Sequence, residues 1–229
     1  MPKRPITGPE LRDDPAVRHR YWARAAIGWP RFSKARPNAG HLAIAALEAR
    51  GAGVGVITQN VDGLHHAAGS RAVIELHGAL ARVRCMACGR VEDRDEVQAR
   101  IEAANPGWVA QAAASAPDGD AEVPTEALSA FLRPSCPTCG ADVRPDVVLF
   151  GENVPRAVVD AAWAQVDAAD ALLVVGTSLQ VWSGYRFAKG AKERGKRLVI
   201  VNLGPTRADD LADVRIDGAA ESVLPTLLG

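Results

Sequence analysis

A parallel α/β sheet with a metal-binding insert is the architecture this sequence predicts, and three observations carry it. Short apolar runs that end in glycine or a small polar residue alternate with helical patterns along the chain, the arrangement of strand–helix–strand units. Polar clusters follow three of those runs. Four cysteines fall into two C-x2-C pairs. The composition agrees, with 48% hydrophobic and 24% charged residues over 229 positions, which is ordinary for globular proteins. At about 100–200 residues per domain, this length allows one domain, or one domain with a small insert.

The elements follow in order. Residues 1–36 carry nine basic and three acidic side chains in a chain whose net charge is zero. That start reads as a solvated, partly helical surface segment, or alternatively as a site for phosphates or acyl groups. Its acids argue against a mitochondrial presequence. Residues 41–50 are a helix, with Pro37-Asn38 before it and Gly51 after it. Val54–Thr58 suits a buried strand. Residues 84–140 form the cysteine module, whose middle is Ala-rich and broken by Pro106, Pro117 and Pro124; Pro117-Asp118-Gly119-Asp120 reads as a turn. Val147–Phe150 is a further strand candidate, with Phe150 expected in the core. Over 156–169, Val158, Val159, Ala162, Trp163 and Val166 fit one helical face. Leu172–Val175 is a strand ending at Gly176, residues 184–194 are helical, Leu198–Val201 is a strand ending at Asn202, and a last helix starts near Glu221.

In parallel sheets, ligands bind beyond the carboxyl ends of the strands. Gln59-Asn60-Val61-Asp62, Gly176-Thr177-Ser178 and Asn202-Leu203-Gly204 occupy three such ends, which suits a nucleotide. Asp62 can also cap a helix over 63–68. The cysteines are Cys85 and Cys88, then Cys136 and Cys139, with 47 residues between the pairs. Four thiolates can close a tetrahedral zinc shell with no open position, so the metal would be structural. Two disulfides or a redox pair are the alternatives. Gly89 and Gly140 directly follow the second cysteine of each pair, where the lack of a Cβ lets amides turn toward sulfur.

Several classes are disfavoured. Neutral overall charge argues against nucleic acid as a partner. No run reaches 18 apolar residues, so no spanning helix is expected. Met-Pro-Lys-Arg-Pro at the start lacks an apolar leader. With reduced cysteines, these features place the expected protein in the cytoplasm.

Taken together, Thr58-Gln59-Asn60-Val61-Asp62-Gly63-Leu64-His65, Glu75-Leu76-His77-Gly78, the four cysteines, Val148-Leu149-Phe150-Gly151-Glu152, Gly176-Thr177-Ser178 and Asn202 resemble the sirtuin family of NAD-dependent protein-lysine deacylases. The order and spacing match from about residue 18 onward. Arg20-Tyr21-Trp22-Ala23-Arg24, Gly28-Trp29-Pro30 and Leu179–Arg186 look most like the class II branch. The resemblance implies a Rossmann-like NAD-binding domain over 1–83 and 141–229 with a zinc module over 84–140. It implies NAD, Zn2+ and acylated-lysine proteins or peptides as cofactors and partners. It implies His77 as catalytic base, Gln59, Asn60, Val61 and Asp62 around nicotinamide and ribose, and Gly176, Thr177 and Ser178 near phosphate and ribose. Asn202, Leu203 and Gly204 would hold the adenosine ribose, with Ala220 near the adenine. Val148–Gly151 and Gln180–Ser183 would take the peptide as an added strand. A histidine titrates near neutrality and suits a base. His65 and His66 are expected to be structural, and Trp22, Trp29 and Trp182 to be core or the wall of an acyl pocket.

One family feature has no counterpart here. Sirtuins open with a strand and a Gly-Ala-Gly loop that cradles pyrophosphate, whereas Gly51-Ala52-Gly53 precedes its strand. The sheet is therefore expected to lack its first strand, and the natural product to start upstream. The alternatives to a deacylase are a truncated, non-catalytic NAD- or peptide-binding module, or a mono-ADP-ribosyltransferase.

Overall fold

The computed structural model describes residues 5–53, 55–110 and 125–228. The Pro117–Asp120 turn lies outside these residues, as does Val54. The chain divides into two compact units. A cysteine unit comprises Met1–Ala35 and His77–Asn153, and a parallel unit comprises Arg36–Leu76 and Val154–Gly229.

In the cysteine unit, α1 (Gly8–Asp13) starts at a capping box in which Thr7 and Glu10 exchange hydrogen bonds. Asp14 then caps α2 (Pro15–Phe32), accepting from the Ala16 and Val17 amides with proline at the first position. Three strands form an antiparallel sheet, β3 (Gly78–Cys85) lying between β4 (Val91–Asp93) and β5 (Val143–Val147). Asp93 caps α5 (Arg94–Ala104), and α6 spans Thr125–Ala130. The core gathers Trp22, Ala23 and Ala26 of α2 with Val83, Val97, Ile101, Phe131 and Val143. Trp22 is 1% exposed, and its indole N–H donates to the Val143 carbonyl at 2.9 Å.

Two expectations are corrected here. The sequence boundaries set 1–83 with the nucleotide domain. Residues 1–35 instead join the cysteine unit, because the apolar face of α2 packs into the core that holds Cys85 and Cys136. The basic start is therefore helical but not merely a solvated surface. The expected strand over 147–150 ends at Val147. The Glu152 carboxylate accepts the Leu149 amide at 2.9 Å, which turns the chain away. Phe150 keeps one parallel bridge to Thr7 and is 57% exposed instead of core.

In the parallel unit, Asn38 caps α3 (Ala39–Ala49). β1 (Val56–Thr58) pairs in parallel with β2 (Val73–Glu75), and α4 (Leu64–Ala67) lies between them in sequence. Then follow α7 (Arg156–Ala168), β6 (Ala171–Val175), α8 (Trp182–Glu193), β7 (Arg197–Asn202), β8 (Val214–Asp217) and α9 (Ala220–Leu228). β6, β7 and β8 are parallel in that order. The Rossmann-like α/β pattern is thus present, but its parallel strands form a two-stranded and a three-stranded sheet instead of one. Leu198 and Ile200 of β7 pack with Val174, Leu179 and Ala188 in one cluster. Leu76, Ile57, Ile74 and Leu172 pack with α7 and α8 in another. No helix among the described residues is long and apolar enough to cross a membrane.

Candidate functional site

The four cysteine sulfurs lie within 4.8 Å of one another. Across the two pairs, Cys85 Sγ stands 3.5 Å from Cys139 Sγ, and Cys88 Sγ stands 3.8 Å from Cys136 Sγ. A disulfide needs about 2.05 Å. A zinc tetrahedron with Zn–S bonds of about 2.3 Å has edges near 3.8 Å, so the spacing fits a zinc shell. Each pair sits on a tight hairpin. Cys85 N–H donates to Arg90 O and Cys136 N–H to Ala141 O, both at 2.8 Å. Gly89 and Gly140 take φ of +74° and +72°, as the sequence expected of them. Cys85 Sγ accepts from the Ala87 and Cys88 amides at 3.4 and 3.5 Å. The Cys88 amide in particular, with that of Ala87, holds the Cys85 thiol down to about 6 against the opposing effect of burial. Cys139 goes the other way: against the lowering effect of the Ala141 amide, the Cys85 sulfur and burial push it up to about 11.

In the parallel unit, the polar clusters do stand at carboxyl ends of strands. Beyond β1, Thr58 Oγ1 accepts the Asn60 amide at 3.0 Å, and the Asp62 carboxylate accepts the Leu64 amide at 2.9 Å. Gly63, at φ +71°, is the residue that directly precedes α4, so Asp62 acts one position earlier than a cap. Beyond β6, Gly176 donates to Val201 O at 2.9 Å. The ends of β1 and β6 come together through Gln59. It accepts from Thr177 Oγ1 at 3.5 Å and donates to Ser183 Oγ at 3.3 Å. Beyond β7, buried Asn202 donates to the Leu203 and Gly204 carbonyls at 3.2 and 2.9 Å. Gly204 in turn donates to Asp217 at 3.0 Å. Leu203 is left 76% exposed. Val61 belongs to the β1–α4 loop, and Ala220 opens α9. A Cβ added to Gly176 or Gly204 would meet nothing within 4 Å, so both turns border open space.

His77 belongs to the cysteine unit and stands half-buried at the entry to β3. Its carbonyl accepts the Val148 amide at 2.9 Å. The following Gly78 has φ +75°, and a Cβ there would lie 2.1 Å from the Asp146 carbonyl oxygen. Only glycine fits, so the His-Gly step is fixed by the backbone on both sides of the peptide. His65 packs its ring on His41 at 4.8 Å between centroids. Burial holds its pKa below the ordinary value. His66 Nε2 lies 3.7 Å from the Glu75 carboxylate. Both contacts agree with structural roles.

Two features escaped the sequence. Arg144 grips Glu152 through two hydrogen bonds, 2.6 and 2.7 Å, and so shapes the Leu149–Gly151 loop. Leu179 takes φ +54°, a left-handed conformation that no glycine in the sequence announces. Trp22 and Trp29 are core, whereas Trp182 is 54% exposed.

The sequence model of the Sir2 family matches residues 4–183. An NAD-dependent protein deacetylase of Xanthomonas axonopodis pv. citri is 52% identical over 223 residues, covering 97% of this chain and 76% of that protein. The mitochondrial NAD-dependent protein lipoamidase sirtuin-4 of Bos taurus is 45% identical over 225 residues, covering 98% of this chain and 71% of that protein. Among solved structures, a Sir2 complex with p53 peptide and NAD+ superposes with a TM-score of 0.76 at 28% identity, covering 99% of this chain and 84% of that one.

Proposed function

This chain belongs to the Sir2 family, and from that premise we propose that it is an NAD-dependent protein-lysine deacylase. From NAD, an acylated-lysine peptide and water it would release nicotinamide, O-acyl-ADP-ribose and the peptide with its lysine freed. The observation that carries this reading is the 52% identity, across 97% of the chain, to an NAD-dependent protein deacetylase.

The residues present suit both cofactors. Open glycine turns and hydrogen-bonding side chains at the carboxyl ends of parallel strands are what a dinucleotide requires. Gln59, Asn60, Val61 and Asp62 would hold the nicotinamide and ribose part. Gly176, Thr177 and Ser178 would hold phosphate and ribose, and Asn202, Leu203, Gly204 and Ala220 the adenosine. Bound NAD supplies an electrophilic ribose carbon with nicotinamide as its leaving group. Cys85, Cys88, Cys136 and Cys139 would hold one zinc ion, which supplies rigidity and, with four thiolates, no open coordination position.

His77 is the general base, its imidazole accepting the proton that a ribose hydroxyl gives up. Its fixed backbone supports that role, since a base must sit within hydrogen-bonding reach of its proton. Val148–Gly151 and Gln180–Ser183 would each offer main-chain groups to an acyl-lysine peptide, as in strand addition. Such recognition reads backbone more than side chains. Nucleic acid and membrane are not partners in this reading, and its compartment is the reducing cytoplasm, where thiolates persist.

The test is nicotinamide release by the purified 229-residue chain, with and without acyl-lysine peptides. Peptide-dependent release is expected, falling by about 10²–10⁴ in His77→Ala. A zinc-loaded chain that releases nothing with any acyl-lysine peptide refutes the proposal.

A further inference from the structure

Leu179 is the single non-glycine residue with positive φ among the described residues. A side chain bearing a Cβ visits that region rarely, and where it does the surroundings must hold it. The loop after β6 therefore stores a shape it would not adopt alone. Two features hold it from one end. The Leu179 amide donates to Thr177 Oγ1 at 3.2 Å. Its side chain is buried, 4% exposed, in the cluster with Leu198, Ile200 and Ala208.

The remaining hold comes from one residue, Arg207, far along the chain. A left-handed residue turns the chain sharply, and the carbonyls of the residues before and after it, Ser178 and Gln180, find their donors on one residue. Arg207 takes both. Its backbone N–H donates to Ser178 O at 2.9 Å, and its Nη1 donates to Gln180 O at 3.3 Å. The guanidinium lies over the Tyr185 ring at 4.2 Å and within 6.0 Å of the Trp182 ring, both on α8. The arm that presents it is itself braced. Ala208 is buried, Thr206 donates its hydroxyl and its amide to the Asp209 carboxylate at 2.6 and 3.1 Å, and Arg215 pairs with Asp209 at 3.2 Å.

We propose that Arg207 is a positioning residue for the substrate peptide: it clasps both flanks of Leu179 and so presents the Gln180–Ser183 backbone in a strand-accepting form. The inference rests on the reading that Gln180–Ser183 takes the acyl-lysine peptide. It assigns substrate positioning to a residue outside every motif in the sequence. The Ser178 bond is made by the backbone and survives any substitution at 207, whereas the Gln180 bond and the stacking on Tyr185 belong to the flat guanidinium, which lysine lacks.

Two measurements test it in the full, zinc-loaded chain. The first is amide hydrogen exchange over 178–182 in wild type, Arg207→Ala and Arg207→Lys. Exchange is expected to quicken in Arg207→Ala, less so in Arg207→Lys, with β6 and β7 unchanged. Unaltered exchange in this loop overturns the clasp. The second is the KM for an acyl-lysine peptide against that for a single acylated lysine without flanking residues. Arg207→Ala is expected to raise the peptide KM about tenfold, the scale of one charge-assisted hydrogen bond, and to affect the single lysine less. Equal losses on both substrates overturn the positioning role. A wild-type chain without peptide-dependent release refutes the deacylase reading and the substrate role with it, while exchange still decides whether Arg207 holds the loop.

Discussion

The cysteine unit and the parallel unit solve the same problem with different materials. In the cysteine unit the core wraps two buried sulfurs, Cys85 and Cys136, and charges brace its edges. Arg18 and Arg133 share Asp142, Arg82 and Arg84 share Asp146, and Arg144 grips Glu152. Its antiparallel sheet has one long strand and two short ones. In the parallel unit two apolar clusters carry the load, and the central strand β7 is buried along most of its length. The first unit is thereby linked to metal and protons, and the second to apolar area. That difference makes the two separable by experiment.

The largest separation should come from removing the metal. A structural zinc site contributes roughly 10–16 kcal/mol, comparable with the whole stability of a domain at about 5–15 kcal/mol. Chelation of the zinc-loaded chain is expected to abolish exchange protection in β3, β4 and β5 while β6 and β7 keep theirs. Simultaneous loss in both units would mean that the contrast drawn between them is wrong.

The converse perturbation is smaller. Ile200 is fully buried in β7, and truncating such a side chain costs about 2–5 kcal/mol. Ile200→Ala should lower the protection of β6, β7 and β8 and leave zinc content and the β3–β5 amides near wild type. Loss of zinc in this variant would show that the units do not melt apart.

The same contrast explains what could be read in advance. Metal ligation demands cysteine at fixed intervals, so the zinc module was visible as a pattern. Buried parallel strands are continuous apolar runs, so Leu172–Val175 and Leu198–Val201 stood out, as did the small polar residues after them. β3 did not, because Gly78–Cys85 alternates core residues with Arg82 and Arg84 and is amphipathic. The docking of α2 was hidden too. It depends on contacts such as Trp22 with Val143, 121 positions apart, which no local spacing records. The Leu149–Gly151 and 178–182 loops were legible as motifs but not as shapes. Nothing local marks Leu179 as left-handed or Glu152 as the group that turns Leu149.

Those two loops give the smallest and most discriminating contrast. The Glu152 carboxylate accepts from Arg144 Nη1 and Nη2 at 2.6 and 2.7 Å, and from the Leu149 amide at 2.9 Å. The Arg144 hydrogen bonds, opposed in part by burial, hold its pKa below the ordinary 4.5. A carboxylate whose pKa is depressed by folding adds stability above its unfolded pKa and loses it as pH falls through the folded value. Glu152→Gln should therefore cost about 1–2 kcal/mol at pH 7, and the gap to wild type should close as pH falls below 4.5. Denaturant unfolding of both proteins at stepped pH measures that gap, and comparing them cancels the acid loss of zinc common to both. A gap that stays constant through the acid range would show that Glu152 acts by shape and not by charge. The 178–182 loop offers the internal control. Its clasp is the Arg207 guanidinium on the Gln180 carbonyl, so at pH 7 its exchange protection relative to β7 should be the same in Glu152→Gln as in wild type while the Leu149–Gly151 loop loosens. The control holds at neutral pH, because the arm behind Arg207 leans on the Asp209 carboxylate.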